Sequence, residues 1–327
     1  MFLAGSYVSR QVWAALAALS LRDPVLLPAL HPSGKSISQA QQRVNRLFYG
    51  RYALIYRLHK WTSSCPSKAT RKRFQGKVAV RPSFSPSGVM PAALMPLTND
   101  QTIDGLSYRS HLRDLAGIRG LTGIVVNGHA AEVHALSLDE QTWGVQTACE
   151  EVGDQIAVIA GIYTESTRVA CEMAKRAADV GAHALLIFPP NSLMFGGNAR
   201  IELGHRFVEE VSAATALPVI LFQYPISTAL SYSIDSLVYL CEKVSNIVAI
   251  KDLGSEPRTH ERTIAALHGL SRPVNVLTSH SQWLGASLCL GARGIISGAG
   301  SVIADRQRAL FEAFSSETPN LLLQRQL

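Results

Sequence analysis

The sequence predicts an α/β fold, a (β/α)₈ barrel, and three observations carry that expectation. Eight short apolar runs rich in β-branched residues recur from residue 89 onward, stretches of helical periodicity separate most of them, and the repeat is roughly 30 residues long. Strand then helix, eight times over, is the pattern of a closed parallel barrel, with a doubly wound open sheet as the runner-up. No Gly-x-Gly-x-x-Gly follows the first run, which lowers a dinucleotide-binding reading.

The expected strands are Val89–Leu94, Gly123–Val126, Ile156–Gly161, Ala184–Phe188, Pro218–Tyr224, Ile247–Lys251, Val274–Thr278 and Gly294–Ser297. Each is short and apolar, as a buried strand must be. After the second strand, Ser137-Leu-Asp-Glu140 has the spacing of a capping box, and Asp139 and Glu140 suit the positive end of the helix it opens. Between the third and fourth strands, Val169, Met173, Ala177 and Val180 form one face of a helix over Ser166–Val180. Leu237, Leu240 and Val244 do the same for Ile234–Val244. A last helix is expected over Ala304–Phe314, a shortened C-terminal helical region, followed by a tail at 317–327.

The 327 residues are 47% hydrophobic and 17% charged, a globular composition. Charge is unevenly placed. Residues 1–88 carry 14 of the 31 Lys and Arg but a single acid, Asp23, whereas the remainder holds 17 basic and 23 acidic residues. The net charge of +7 therefore belongs to a basic, low-order leader, and the slightly acidic body argues against a nucleic-acid substrate. Within the leader, Val12–Leu21 follows Arg10 like a short signal-peptide core, but Arg22-Asp23-Pro24 stands where a small-residue cleavage site belongs. The Arg- and Ser-rich, acid-poor composition also fits an organellar transit peptide, Arg71-Lys72-Arg73 resembles a nuclear or nucleic-acid patch, and a later start of translation would make these residues non-native. Pro82-Ser-Phe-Ser-Pro86-Ser-Gly88 reads as the linker into the barrel domain, 89–316.

Five scattered cysteines without a Cys-x-x-Cys pair suit a reducing compartment and argue against a disulfide framework and a zinc site. No apolar stretch approaches the ~18 residues needed to span a bilayer. A cytoplasmic location is expected, or an organellar matrix if the leader is a transit peptide. No metal constellation is found, since neither His-x-x-x-His nor paired carboxylates at ligand spacing occur.

In such a barrel, chemistry lies at the C-terminal strand ends. Those ends are Asn127-Gly-His-Ala-Ala-Glu132, Phe188-Pro-Pro-Asn191, Phe222-Gln-Tyr-Pro225, Lys251-Asp252 and Ile296-Ser-Gly298. Lys251 ends an apolar strand. Its ammonium must reach water or occupy a site that uses it, and a desolvated amine can attack a carbonyl to form a Schiff base. Snorkelling to solvent is the plain alternative. A tyrosine on the preceding strand, Tyr224, would relay protons, and backbone amides of the loop at Gly128 would hold a carboxylate.

These pieces resemble the dihydrodipicolinate synthase and N-acetylneuraminate lyase family of class I aldolases. The resemblance runs from about Gly88 to Ser301 and rests on six segments in order. They are Gly88-Val-Met-Pro-Ala-Ala-Leu-Met-Pro96, Gly128-x-x-x-Glu132, Ala157-Val-Ile-Ala-Gly161, Leu217-Pro-Val-Ile-Leu-Phe222, Ile247-Val-Ala-Ile-Lys251-Asp252 and Gly291-Ala-Arg-Gly-Ile-Ile-Ser297. It implies a TIM barrel in which Lys251 forms an imine with pyruvate or another 2-oxo acid. Aldol cleavage, condensation or dehydration would follow, with no cofactor and in a homodimer or homotetramer.

Several positions depart from the family pattern. His129 and Ala130 stand where the family has two hydroxyl residues, Phe222 stands where it has the tyrosine, and Tyr224 comes two residues later on the same strand face. Tyr224 is then either a proton relay or a rim aromatic, and His129 either supplies charge or a proton or is structural. Asn191 replaces a second tyrosine. Ser227 replaces an arginine, leaving no fork for a second carboxylate. Those losses argue against the lysine-biosynthesis reaction and favour a different 2-oxo acid.

The expected site therefore comprises Lys251 and Tyr224 as catalytic residues, with Gly128, His129, Ala130, Ala131, Asn191, Phe222 and Ile296 contacting substrate. Glu132 is expected to order its loop by accepting backbone N–H bonds. His280 lies at the right barrel end and His205 within a helix. Two competing readings remain: a barrel that binds a 2-oxo acid or sugar acid without turnover, and a nucleic-acid arm formed by the leader.

Overall fold

Eight parallel strands follow one another around a ring, each succeeded by a helix on the outside. In chain order they are β1 (Gly88–Pro91), α1 (Gly105–Ala116), β2 (Gly123–Val126), α2 (Leu138–Val152), β3 (Ala157–Ile162), α3 (Thr167–Asp179), β4 (Ala184–Ile187) and α4 (Ile201–Ala213). The second half continues with β5 (Val219–Gln223), α5 (Ile234–Lys243), β6 (Ile247–Asp252), α6 (Pro257–His268), β7 (Asn275–Thr278), α7 (Leu284–Cys289), β8 (Gly294–Ser297) and α8 (Gly300–Ser315). The computed structural model describes residues 84–195 and 200–315. The expected leader, up to residue 83, and the expected tail lie outside the described residues.

Each strand pairs in parallel with its sequence neighbour, and β8 returns to β1. β1 and β2 meet through the bridges Val89–Leu121 and Ala92–Val125, which close the ring. This is the (β/α)₈ barrel that the alternation of runs predicts.

The strands are apolar on both faces because both are covered. Ile220 and Phe222 on β5, Ala249 on β6, Leu277 on β7 and Ile296 on β8 point inward, with Met90, Val125, Ile159 and Leu186. Val219, Leu221, Ile247 and Ile250 point outward, where helix residues such as Leu112, Ala148, Val208, Leu237 and Leu240 pack on them. Burying each of these larger aliphatic side chains stabilises the fold by about 1.5–3 kcal/mol. Period-two alternation continues past the apolar part of two strands, and it sends Lys251 and Tyr224 inward after Ala249 and Phe222.

Element ends move by a few residues, each for a local reason. β1 stops at Pro91 rather than at Leu94, and the amides of Ala92 and Ala93 bond to Ser297 on one side and Val125 on the other. Pro91 has no N–H to offer, and the chain leaves the barrel there. The last helix begins at Gly300, ahead of Ala304, with a break in helical geometry at Ile303. Phe84 packs against the inner cluster, and the carbonyl of Pro86 accepts from Nδ2 of Asn275, so the segment read as a linker already touches the barrel. The capping box forms: the Glu140 amide donates to Oγ of Ser137 at 3.2 Å, and the Ser137 amide donates to the Glu140 carboxylate at 2.8 Å. Gly161 marks the tightest approach at the rim, since a Cβ there would lie 2.0 Å from the carbonyl oxygen of Asn127. Among the described residues no helix is long and apolar enough to cross a membrane.

Candidate active site

Lys251 sits inside the barrel mouth and is only 5% exposed. Its Nζ lies 4.4 Å from the centroid of the Phe222 ring, its register partner on β5. Among the described residues no carboxylate lies within ion-pair distance of it. Burial pushes its pKa from 10.5 down to about 7. The Phe222 face attracts an ammonium and works against that shift, but such attraction contributes only about 0.5–2 kcal/mol. A large share of the amine is therefore neutral, and nucleophilic, near pH 7.

Beside the amine stands a group of packed rings. Phe188 and Phe222 stack with centroids 4.9 Å apart, and Tyr224 lies 4.4 Å from Phe222. His129 packs edge-on to Phe188 at 4.8 Å, to Tyr163 at 5.4 Å and to Phe222 at 5.7 Å. Nε2 of His129 hydrogen-bonds the Tyr224 hydroxyl, joining positions 95 residues apart. Burial, then the nearby Lys251, then His134, pull the imidazole pKa down to about 4, so the ring is neutral. Burial raises the Tyr224 phenol above its ordinary value and keeps it protonated. A protonated phenol and a neutral imidazole assign the donor: the Tyr224 hydroxyl donates to Nε2, and the ring proton resides on Nδ1.

The loop after β2 opens with a left-handed Asn127 (φ 53°), whose Nδ2 donates to the buried carbonyl of Gln141 at 2.8 Å. Gly128 then caps a single turn, His129–Ala131. The amides of Ala131 and Val133 bond back to the Gly128 carbonyl, whereas those of His129 and Ala130 are the first of the turn and have no acceptor within it. Ala130 faces the inner cluster. Ala131 turns outward into the core beneath the helices, so its side chain is remote from the mouth. Glu132 is exposed, and among the described residues no N–H donates to its carboxylate. Its expected loop-ordering role is therefore corrected: Asn127 holds this loop, while Glu132 contributes a left-handed backbone position (φ 52°).

On the next rim segment, Nδ2 of Asn191 donates to the Tyr163 hydroxyl at 2.5 Å, and the amides of Asn191 and Ser192 donate to the Glu165 carboxylate. Ile296 is fully buried in the inner layer. Ser227 is exposed. His280 follows β7 with its Nδ1 buried and unpartnered, and His205 stacks on Tyr239 at 4.5 Å on the barrel's outside.

Two features were missed by sequence reasoning. Tyr163 continues the inward series Ile159, Gly161 of β3, a signal available in the period of two. The other is a buried chain of hydrogen bonds on the outward side of β6. Oδ2 of Asp252 bonds Nδ1 of His260 at 2.6 Å, and Nε2 of His260 bonds Oγ of Ser287 at 2.7 Å. Oδ1 of Asp252 also accepts from the Gly254 amide at 2.6 Å. This chain ties α6 and α7 to the strand position next to Lys251, and no local sequence pattern announces it.

Residues 85–324 match the dihydrodipicolinate synthetase family. The chain is 29% identical over 226 residues to a 4-hydroxy-tetrahydrodipicolinate synthase of Symbiobacterium thermophilum, covering 69% of this chain and 74% of that protein. It is 27% identical over 229 residues to an uncharacterized DapA-like lyase of Halobacterium salinarum, covering 69% and 71%. Among solved structures it is similar to the 4-hydroxy-tetrahydrodipicolinate synthase of Methylacidiphilum fumariolicum, with a TM-score of 0.64, 25% identity and coverage of 73% and 77%. A prophage protein of the dihydrodipicolinic acid synthase family from E. coli, solved in complex with pyruvate, gives a TM-score of 0.68 at 22% identity, covering 73% and 78%, a likeness of fold.

Proposed function

The chain belongs to the dihydrodipicolinate synthetase family, relatives in which carry lyase names, and from that premise we propose that it is a class I lyase acting through an imine at Lys251. The observation that carries this reading is a buried amine with no acidic partner among the described residues, its pKa lowered to about 7, at the C-terminal end of a barrel strand. The neutral amine adds to C2 of pyruvate or another 2-oxo acid. The carbinolamine then loses water to leave a protonated imine, an electron sink for making or breaking the bond beyond C3. Loss of a hydroxyl from C4 in place of carbon–carbon cleavage would make the same site a dehydratase.

Tyr224 is the proton relay in this reading, and the free amides of His129 and Ala130, presented by Gly128, receive the substrate carboxylate. Phe222 walls the amine, Asn191 offers a polar group at the rim, Ile296 forms the floor, and Ala131 contributes backbone only. Exposed Ser227 and the ring-lined mouth favour a substrate without a second carboxylate over the lysine-biosynthesis reaction. Apolar groups left open on the mouth side, Phe195 at 91% and Ile226 at 63% exposure, support a homo-oligomer, a dimer or tetramer. Residues 1–88 are read as a basic leader ahead of a cytoplasmic or matrix enzyme.

A second reading is a barrel that binds a 2-oxo acid or sugar acid without turnover. Phe222 favours it, since a phenyl ring packs on the amine where the family places a phenol. Borohydride reduction in the presence of pyruvate decides between them. A mass gain on the peptide carrying Lys251, lost in Lys251→Ala, is the expected result. Folded protein that gives no adduct with pyruvate or other 2-oxo acids would leave the binding-only barrel standing.

A further inference from the structure

We infer that His129 is the terminal proton store of the reaction, acting through the Tyr224 hydroxyl to take a proton from C3 of the imine and return it to the departing or incoming oxygen. This rests on the imine reading above. It assigns to one histidine the work that a lone phenol would do poorly, because a buried phenol with a raised pKa is a reluctant anion.

The geometry supplies each part. Phe222 touches both centres: Lys251 Nζ lies over its face, and the rings of Tyr224 and His129 pack on it at 4.4 and 5.7 Å. The relay and the amine thus flank one side chain. His129 is held by four aromatic neighbours and by its bond to Tyr224, so the imidazole cannot swing away from the phenol. The titratable groups facing it are Lys251 from β6, Tyr163 and Tyr224 from the ends of β3 and β5, and His134 from its own loop. Among the described residues none is a carboxylate, so the resting ring is neutral and its Nε2 is open to the Tyr224 proton, while burial and Lys251 make the imidazolium short-lived and quick to return that proton.

The steps balance. The C3–H bond breaks, its electron pair becomes the C2–C3 double bond, and the iminium nitrogen takes up the electrons to give an enamine. The proton passes to the Tyr224 oxygen while the phenolic proton moves to Nε2, leaving an imidazolium and a neutral phenol. When C3 attacks an aldehyde carbonyl, the phenolic proton passes to the new alkoxide, which becomes a hydroxyl on C4, and the imidazolium proton returns to the phenol oxygen. Cleavage is this sequence reversed.

Two readouts on one set of proteins test it: the borohydride adduct at Lys251, and exchange of pyruvate methyl protons for deuterium in D₂O followed by NMR. Wild type is expected to show both. His129→Asn, which keeps a polar side chain but cannot store a proton, is expected to keep the adduct and lose exchange by ~100-fold or more. Below about pH 7 exchange should fall in both proteins as the Lys251 amine becomes charged; wild type alone should show a further fall at lower pH as the imidazole becomes charged. If His129→Asn also loses the adduct, His129→Gln, which keeps a longer polar side chain but no titratable ring, decides by the same readouts. Exchange within about threefold of wild type in the deciding variant overturns the relay and leaves the imine reading intact, since a general acid–base group contributes more than that. An adduct in wild type without any exchange overturns it too, and absence of the adduct from wild type overturns both readings.

Discussion

The two halves of the barrel mouth are built from different materials. On the side of β2 to β5 the lining is aromatic: His129, Tyr163, Phe188, Phe222 and Tyr224 pack ring against ring. On the side of β6 to β8 the strand ends are polar, with Thr278, Ser279, Ser281 and Ser297 there and the outward-facing Asp252 bonded to His260 and, through it, to Ser287 behind them. Lys251 stands at the seam. The aromatic half removes water from the amine, which lowers its pKa, while the polar half holds the strand that carries it. Tuning and holding are thus separated, and variants can disturb one without the other.

The largest effect is expected from Lys251→Met, which removes the amine from the seam and abolishes the adduct. It should also stabilise the protein. The unfolded lysine keeps its proton up to pH 10.5 and the folded one only to about 7, so the unfolded state binds more protons in between and wild-type stability rises with pH across that window. Below pH 7 the penalty is complete; at pH 7 it amounts to up to about 4 kcal/mol. Denaturant midpoints at about pH 6 and 9.5 should differ for wild type and not for Lys251→Met.

Phe222→Ala breaks the aromatic half. A buried phenylalanine lost to a cavity costs about 3–5 kcal/mol, readable by denaturation, and water reaching Nζ should move the pH midpoint of adduct formation to more basic values. Asp252→Ala breaks the other half at a cost of about 3 kcal/mol, because His260 is left buried without its partner. That variant should leave the pH midpoint of adduct formation where it is, and a basic shift comparable to that of Phe222→Ala would erase the distinction between the halves. Smallest are Tyr163→Phe and Ser281→Ala, each removing one hydroxyl from opposite sides, expected at about 1 kcal/mol apiece by thermal or chemical denaturation.

The same division explains what could be read from the chain. The eight strands were legible because a strand buried on both faces leaves an unbroken apolar run, and Lys251 stood out as a charge at the end of one. Phe222 and Tyr224 followed from the period of two. The His129–Tyr224 bond did not, because it reaches past two intervening strands, β3 and β4, and depends on how far a side chain extends over the mouth. The chain from Asp252 through His260 to Ser287 was equally hidden: its members are common polar residues on a strand and two helices, in no periodic relation. Glu132 was misjudged because an acid after a glycine-led turn suggests a cap, whereas the amide of an asparagine, Asn127, secures the loop.

Lys251 and Asp252 are adjacent in the chain and face opposite ways, and that places a condition on how such a gene can change. Losing or gaining a single codon between Ile247 and Lys251 would invert β6, pressing a carboxylate among the rings and turning the amine toward His260. Length changes can therefore accumulate in the connections outside the barrel, while this hexapeptide tolerates exchange of letters and not of number.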